Sequence, residues 1–387
     1  MWKRGEAERA RGKTITVLIP GIDAVKAKNL HQYGGLADFG YKFIIMTTDG
    51  TGFSRQIAAR VSNVFLWISP RRWIRSWFLI SLLRILITQD VQIAEIYPGS
   101  LLTLVLTFIC WCRGLPIVIV ARGEELPYVS RTMAWRQRPW FRLTYALASH
   151  VIYKELYMLE MLKAMGKERI TLISNAVRVP ERQTLPQGEG CRFLFMNAIK
   201  SFRNPELGLA AFLKMCDRLS LRSNSKVRFD IVGLTDESAE SPWIDAERER
   251  RLQRLIAGKD VPVGLHPWTN EPGQADQWLS QADVFLLPAD IVYLNFALLE
   301  AMARGIPVII QDVEGASLIV DHGVEGYVLP PDEGQWCEHM HRLVRDSEMR
   351  RRMGNAAREK VEKAFSYEDY LRRYDGVYKG VLGLNPA

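Results

Sequence analysis

Val91–Ala121 reads VQIAEIYPGSLLTLVLTFICWCRGLPIVIVA. Its two ends, Val91–Ile96 and Pro116–Ala121, are short apolar runs of strand type, and Leu101–Arg113 between them is helical in pattern. Strand, helix and strand in that order make a parallel crossover unit, and continuous apolar strands belong to a sheet covered on both faces. Leu101–Trp111 is the most apolar window of the chain. It falls short of the ~20 residues that span a bilayer and is expected to be a buried core helix.

The same pattern extends in both directions. Upstream lie Thr14–Pro20 (TITVLIP), stopped by Pro20-Gly21, a helix-like segment around Asn29–Phe39, and the strand Lys42–Thr47 (KFIIMT). Together they predict a doubly wound α/β domain. Around Ser174–Gly190, Pro180, Pro186, Gly188 and Gly190 cluster among polar residues, as in a linker. The pattern then restarts with the strand Arg192–Met196, a helix over Asn204–Leu219, and Val227–Val232 ending at Gly233. Asp283–Leu287, ending at Pro288, and Pro307–Gln311 are further strands. Arg342–Lys363 reads as one charged helix, Phe365-Ser366-Tyr367 breaks it, and a final amphipathic helix runs to about Val381. The expected organisation is an N-terminal Rossmann-like domain over 1–178, a C-terminal one over 179–365, and a last helix within 366–387 returning to the first.

A chain of 387 residues supports two such domains. Its net charge of +8 favours polyanions such as phosphorylated ligands or anionic lipid, although a solvated basic surface accounts for it equally well. No zinc-finger spacing or aromatic RNA-binding motif supports nucleic acid. The cysteines at 110, 112, 191, 216 and 337 are odd in number and scattered, which is no disulfide framework. Cys110 and Cys112 are expected to be buried thiols. Met1–Lys13 is charged and lacks the apolar stretch of a signal peptide. A cytoplasmic protein is expected.

Ligands of open α/β sheets bind beyond the carboxyl ends of the strands. Three loops of the second half have that position: Asn197–Asn204 (NAIKSFRN) with Lys200 and Arg203, Pro288–Phe296 (PADIVYLNF), and Asp312–Leu318 (DVEGASL). Helix N-termini, backbone amides and cationic side chains together suit a diphosphate. Neither half carries G-x-G-x-x-G, which argues against a common dehydrogenase. Glu300, within Phe296–Arg304 (FALLEAMAR), either accepts hydrogen bonds from a ribose or is an exposed carboxylate paired with Arg304 one turn on.

Leu298–Val308 (LLEAMARGIPV), with Gly315 and Asp321–Val328 (DHGVEGYV), closely resembles family 4 glycosyltransferases. So do Ile173–Val177 (ISNAV), Arg203–Leu207 (RNPEL), Val227–Gly233, Phe365–Tyr370 and Tyr374–Tyr378. The resemblance covers most of the C-terminal half; the first half matches mainly as alternating strands and helices. It implies the GT-B fold, two Rossmann-like domains facing across a cleft, and transfer of a sugar from a nucleotide-sugar donor with retention of configuration. By the same resemblance Glu300 would bind the nucleotide ribose, Arg203 would stand for the phosphate-loop lysine, and the amides around Leu294, Asn295 and Phe296 would cradle the diphosphate. Gly21 and Gly315 would belong to cleft loops. The arginine that accompanies the phosphate-loop lysine falls on Ala198, and Lys200 is the candidate substitute.

The chain departs from the family at several places. The first glutamate of the motif falls on Val292, with Asp290 two residues earlier. The family's "G-G-x-x-E" loop reads Glu314–Leu318 and lacks its glutamate. Where the family has His-Gly after a strand, this chain has Arg122-Gly123-Glu124-Glu125. If functional, Arg122 would stabilise the departing diphosphate and Glu124 or Glu125 would orient the acceptor; a surface turn is the alternative. His31 and His322 are expected to be structural or exposed.

Arg71–Phe78 (RRWIRSWF) mixes basic and aromatic residues in the manner of an interfacial helix. Against this, apolar residues wrap most of the way round through Ile87, which favours a core helix. Docking at the inner face of an anionic membrane would suit a lipid-linked or polysaccharide-precursor acceptor. No cofactor and no metal is expected, because the sequence offers no Asp-x-Asp-type cluster and the cationic loop can neutralise the diphosphate. Two other readings stay open: a non-catalytic nucleotide-sugar-binding or scaffold relative, and a nucleotide-sugar epimerase.

Overall fold

The computed structural model describes residues 14–22, 33–47, 61–68, 74–121, 138–156, 158–181, 190–200, 202–234, 245–267, 273–290, 292, 295–313 and 315–384. The chain divides into two compact units, Met1–Ser174 with Glu368–Ala387, and Asn175–Tyr367.

Unit 1 holds strands β1 (Ile15–Ile22), β2 (Tyr41–Thr47), β3 (Val64–Ile68), β4 (Ile93–Ile96), β5 (Ile117–Ala121), β6 (His150–Tyr153) and β7 (Ile170–Leu172). Its helices are α1 (Ile74–Thr88), α2 (Leu101–Cys112), α3 (Arg138–Ala146) and α4 (Met158–Ala164). The strands form one parallel sheet in the order β3-β2-β1-β4-β5-β6-β7. On one face Leu18, Ile44, Ala94, Ile96 and Ile119 pack against Phe78, Leu82 and Ile85 of α1 and Leu106 and Cys110 of α2.

Unit 2 holds β8 (Cys191–Met196), α5 (Pro205–Leu219), β9 (Val227–Leu234), α6 (Ala246–Ile256), β10 (Val263–Pro267), α7 (Gln274–Ser280) and β11 (Val284–Leu287). It continues with α8 (Phe296–Ala303), β12 (Val308–Gln311), α9 (Ala316–Ile319), β13 (Gly326–Leu329), α10 (Glu333–Arg345) and α11 (Ser347–Ala364). The parallel order is β10-β9-β8-β11-β12-β13, with separate apolar cores on its two faces. Strand order reverses between β1 and β4 in the first sheet and between β8 and β11 in the second. Each reversal leaves a crevice at the strands' carboxyl ends where a ligand can enter.

The last helix, α12 (Tyr367–Val381), packs on the opposite face of the first sheet. Tyr370, Tyr374 and Tyr378 recur at the i, i+4 spacing of one helix stripe, and all three are buried. Beneath them lies Glu95 of β4, fully buried, which accepts hydrogen bonds from Tyr33 at 2.8 Å, from Tyr97 at 2.7 Å and from Tyr378. Burial first, and then the Glu95 charge, raise the hydroxyl pKa values of Tyr33 and Tyr378 well above the ordinary tyrosine value.

Four expectations need correction. α2 is not buried all round: Thr103, Leu106, Thr107 and Cys110 face the sheet, while Leu101, Phe108 and Trp111 are exposed. α1 likewise exposes Ile80, Leu83 and Ile87. A helix lying on a sheet buries only the stripe that meets it, and here the outer stripes are apolar as well. Cys112, on the outer stripe of α2, is therefore exposed; Cys110 on the inner one is buried, which pushes its thiol up to about 12. The charged segment at 342–363 is not one helix. Asp346 stops α10 and starts α11, its carboxylate accepting the amide of Met349 at 2.7 Å as an N-cap.

The second sheet also carries a buried ion cluster. Asp230 of β9 has no exposed surface and accepts from Arg228 at 2.8 and 3.0 Å, from His266 at 2.9 Å, and pairs with Arg192 at 3.1 Å. Burial pushes its carboxyl up. The hydrogen bonds from His266 and Arg228, with the charges of Arg228 and Arg192, outweigh burial and hold it below the ordinary value.

Candidate functional site

The carboxyl ends of β8, β11 and β12 are tied into one assembly at the switch point of the second sheet. It begins where β8 meets β9. Gly233 has φ 144°, and a Cβ there would stand 1.8 Å from the Asn197 carbonyl oxygen, so the approach of the two chains requires glycine. Beyond Asn197 the chain turns, with Arg203 N–H bonding the Lys200 carbonyl at 2.9 Å. The turn is held against the loop after β11: Asn204 N–H donates to the Pro288 carbonyl at 2.7 Å, and Asp290 N–H to that of Phe202 at 3.0 Å. Arg203 and Ala289 form an antiparallel bridge between them.

Asp290 fastens the third strand end. Its Oδ1 accepts from Asn204 Nδ2 at 2.6 Å and from Gln311 Nε2, on the last residue of β12, at 3.0 Å. Asn204 is the N-cap position of α5 and Pro205 opens the helix, yet the Asn204 side chain makes no capping bond. Its amide is committed to Asp290 instead. The Phe202 ring gathers the two cations of the loop, with Arg203 Cζ 5.1 Å and Lys200 Nζ 5.7 Å from its centroid.

The N-terminus of α8 completes the assembly. Asn295 caps it, accepting from Leu298 N–H at 3.2 Å, and donates through Nδ2 to Asn197 Oδ1 at 2.8 Å. The Nδ2 of Asn197 is buried and has no partner among the described residues. A donor in that condition costs about 1–3 kcal/mol until an acceptor arrives. Near it lie the helix N-terminus, which carries partial positive charge, and the loop that bears Lys200 and Arg203. An oxyanion such as phosphate fits that chemistry.

Glu300 lies past the first turn of α8 and is half-buried. Arg304 bonds the Glu300 backbone carbonyl at 3.1 Å and the Asp276 carboxylate. Gly315, φ 88°, starts α9, and a Cβ there would meet the Val292 carbonyl oxygen at 4.0 Å. Val292 itself is a core residue, 2% exposed, packed with Leu287, Leu298 and Ala316. The sheet therefore brings together Lys200, Arg203, Asn295, Phe296 and Gly315. Gly21 belongs to unit 1, at the carboxyl end of β1 where the β1–β2 register shifts. Arg122, Glu124, Glu125, Leu294 and His31 lie outside the described residues. His322 is exposed, with Nδ1 against the Val328 backbone.

Residues 182–360, nearly all of unit 2, match the family model described as Glycosyl transferases group 1. Over the whole chain, the crystal structure of Anabaena HepE in complex with UDP and glucose superposes with a TM-score of 0.73 at 13% identity, covering 95% of this chain and 100% of that one. The chain has the GT-B fold. Among curated relatives of this GT-B protein, the N-acetyl-alpha-D-glucosaminyl L-malate synthase of Bacillus anthracis is 34% identical over 27% of this chain and 28% of its own length. The human alpha-1,3/1,6-mannosyltransferase is 24% identical over 50% of this chain and 47% of its own. The chain thus spans less than half the length of either relative.

Proposed function

We propose that this GT-B protein is a retaining glycosyltransferase of the family 4 type, taking a sugar from a nucleoside diphosphate donor to a hydroxyl of a glycan or lipid-linked acceptor. The observation that carries the reading is the convergence of Arg203, Lys200, the α8 N-terminus and the unpartnered Asn197 Nδ2 at the switch point of the second sheet. It is supported by the match of that unit to group 1 glycosyl transferases and by the mannosyltransferase name of the human relative.

In the reaction, the bond from the anomeric carbon to the diphosphate oxygen breaks and one to the acceptor oxygen forms. The acceptor proton passes to the released diphosphate. Arg203, Lys200 and the α8 amides stabilise the charge that grows on the leaving group. With that cationic surround, no metal is needed. Glu300 accepts from the ribose hydroxyls, Arg122 assists the leaving diphosphate, and Glu124 or Glu125 orients the acceptor. A lipid-linked acceptor places the enzyme at an anionic membrane surface, the cytoplasmic face of the bilayer. The second reading, a nucleotide-sugar-binding protein without turnover, is favoured by the burial of Val292 where the family's first motif carboxylate stands.

Calorimetry with UDP-, GDP-, ADP- and TDP-sugars tests the donor site, and product analysis with and without acceptor separates transfer from binding alone and from epimerisation. Glu300→Gln should weaken the preferred donor by about ten-fold or more, the worth of one charge-assisted hydrogen bond. An unchanged affinity and rate would remove Glu300 from the site.

A further inference from the structure

Most exposed large apolar side chains of the described residues lie in unit 1. On α1, Ile80, Leu83 and Ile87 are 67, 49 and 77% exposed, and their spacing sets them on one stripe. On α2, Phe108 and Trp111 are 51 and 50% exposed and stack at 5.9 Å between ring centroids. Leu143 on α3 is 50% exposed. α2 contacts both α1 and α3, and the inner stripes of all three cover one face of the sheet. Their outer stripes therefore make one continuous apolar face rather than scattered surface residues.

The charge on this face has one sign. The sequences of α1, α2 and α3 contain no Asp or Glu. Arg84 on α1, Arg113 at the end of α2 and Arg142 on α3 are exposed. We infer that this three-helix face docks unit 1 on an anionic lipid bilayer, its apolar stripes entering the acyl boundary and its arginines meeting the headgroups. The inference deepens the membrane placement given under Proposed function and rests on it. The face lies on the bilayer and does not cross it: no helix among the described residues is long and apolar enough to span. A second copy of the chain fits less well. A two-fold contact would set like arginines near one another, with no carboxylate on these helices to answer them.

Flotation of the full chain with vesicles tests this, using phosphatidylcholine alone and phosphatidylcholine mixed with phosphatidylglycerol. Wild type should float with the mixed vesicles and much less with the neutral ones. The variant Leu83→Ser/Ile87→Ser/Phe108→Ser should lose about ten-fold in binding while keeping its thermal unfolding transition, because these side chains are exposed. Arg84→Gln/Arg142→Gln should lose the preference for the anionic lipid and the salt dependence. A wild type that binds neither vesicle overturns the membrane placement itself. A wild type that binds while both variants bind equally well overturns the assignment to this face alone. Sedimentation showing a dimer that the apolar variant dissociates would give the face to a second copy and overturn it too.

Discussion

Asn295 holds the N-terminus of α8 to the end of β8 through a 2.8 Å hydrogen bond from its Nδ2 to Oδ1 of Asn197, while its own Oδ1 caps Leu298 N–H. The two jobs can be separated. Asn295→Ser keeps a capping oxygen and loses the tether; Asn295→Ala loses both. Asn295→Ala should cost about 1 kcal/mol of stability and Asn295→Ser only a few tenths. Both should weaken nucleoside diphosphate binding, since both leave Asn197 unheld. Thermal unfolding alongside calorimetry checks this. Binding that tracks stability would show that the tether has no role at the ligand.

Arg203 should rank above Lys200 in diphosphate affinity. Its backbone bridges to Ala289 in the β11 loop, which fixes its place at the strand ends, whereas Lys200 forms no such bridge to that loop among the described residues; both stand over the Phe202 ring. Arg203→Ala should lose about ten- to a hundred-fold, the worth of one hydrogen bond to a charged group, and slow transfer. Arg203→Lys should lose less, and Lys200→Ala less than Arg203→Ala. Calorimetry on folded protein that finds wild type, Arg203→Lys and Arg203→Ala equal would place the diphosphate elsewhere.

The central strands of both sheets were legible because they are buried on two faces and read as unbroken apolar runs, as in Phe193–Met196 and Ile117–Ala121. The edge strands, and β6 one place in from the edge, were not. β10 contains Gly264 and His266, and only the structure shows why: a Cβ at Gly264 would stand 2.4 Å from His266 Nε2 and 2.6 Å from Asp230 Oδ1. In the site, the cations of the β8 loop and the helix start at Asn295 could be read from local sequence. The Asp290 junction could not, because its partners Asn204 and Gln311 lie 86 and 21 positions away. The exposed stripes of α1 and α2 were hidden for another reason. Both faces of these helices are apolar, so periodicity does not say which face meets the sheet.

Unit 2 should lose stability as pH falls below about 4. Asp230 has a lowered carboxyl pKa in the fold, so its contribution is present above the unfolded aspartate value of about 3.9 and is lost as pH falls through the folded value. Asp230→Asn removes the charge that answers Arg228 and Arg192. The cost should be about 3 kcal/mol, the low end for a broken buried pair because the Arg228 side chain is 41% exposed. Urea unfolding at neutral pH and near pH 3 checks both. The variant should be the less stable protein at neutral pH, and the gap should narrow in acid; a constant gap would mean that the charge of Asp230 does not matter.

Glu95 and Tyr378 join elements 283 positions apart, fixing the last helix to the centre of the first sheet. Glu95 is fully buried on β4, and Tyr33, Tyr97 and Tyr378 all donate to it. Tyr378→Phe deletes one donor and leaves the ring in place, so packing is retained and the loss should be about 1–3 kcal/mol. Glu95→Gln alters the acceptor for all three hydroxyls. If the contact is as direct as its geometry, the double variant should be less destabilised than the sum, by about 1 kcal/mol or more. Alkali gives an independent reading. The hydroxyls of Tyr33 and Tyr378 have raised pKa values, so their contribution to stability is full below the unfolded tyrosine value of about 10 and declines as pH rises beyond it. Tyrosinate absorbance from these residues should therefore appear only together with loss of structure. Additive energies in the cycle, with ionisation of the buried tyrosines in still-folded protein, would mean that α12 is held by packing alone and that Glu95 is not its anchor.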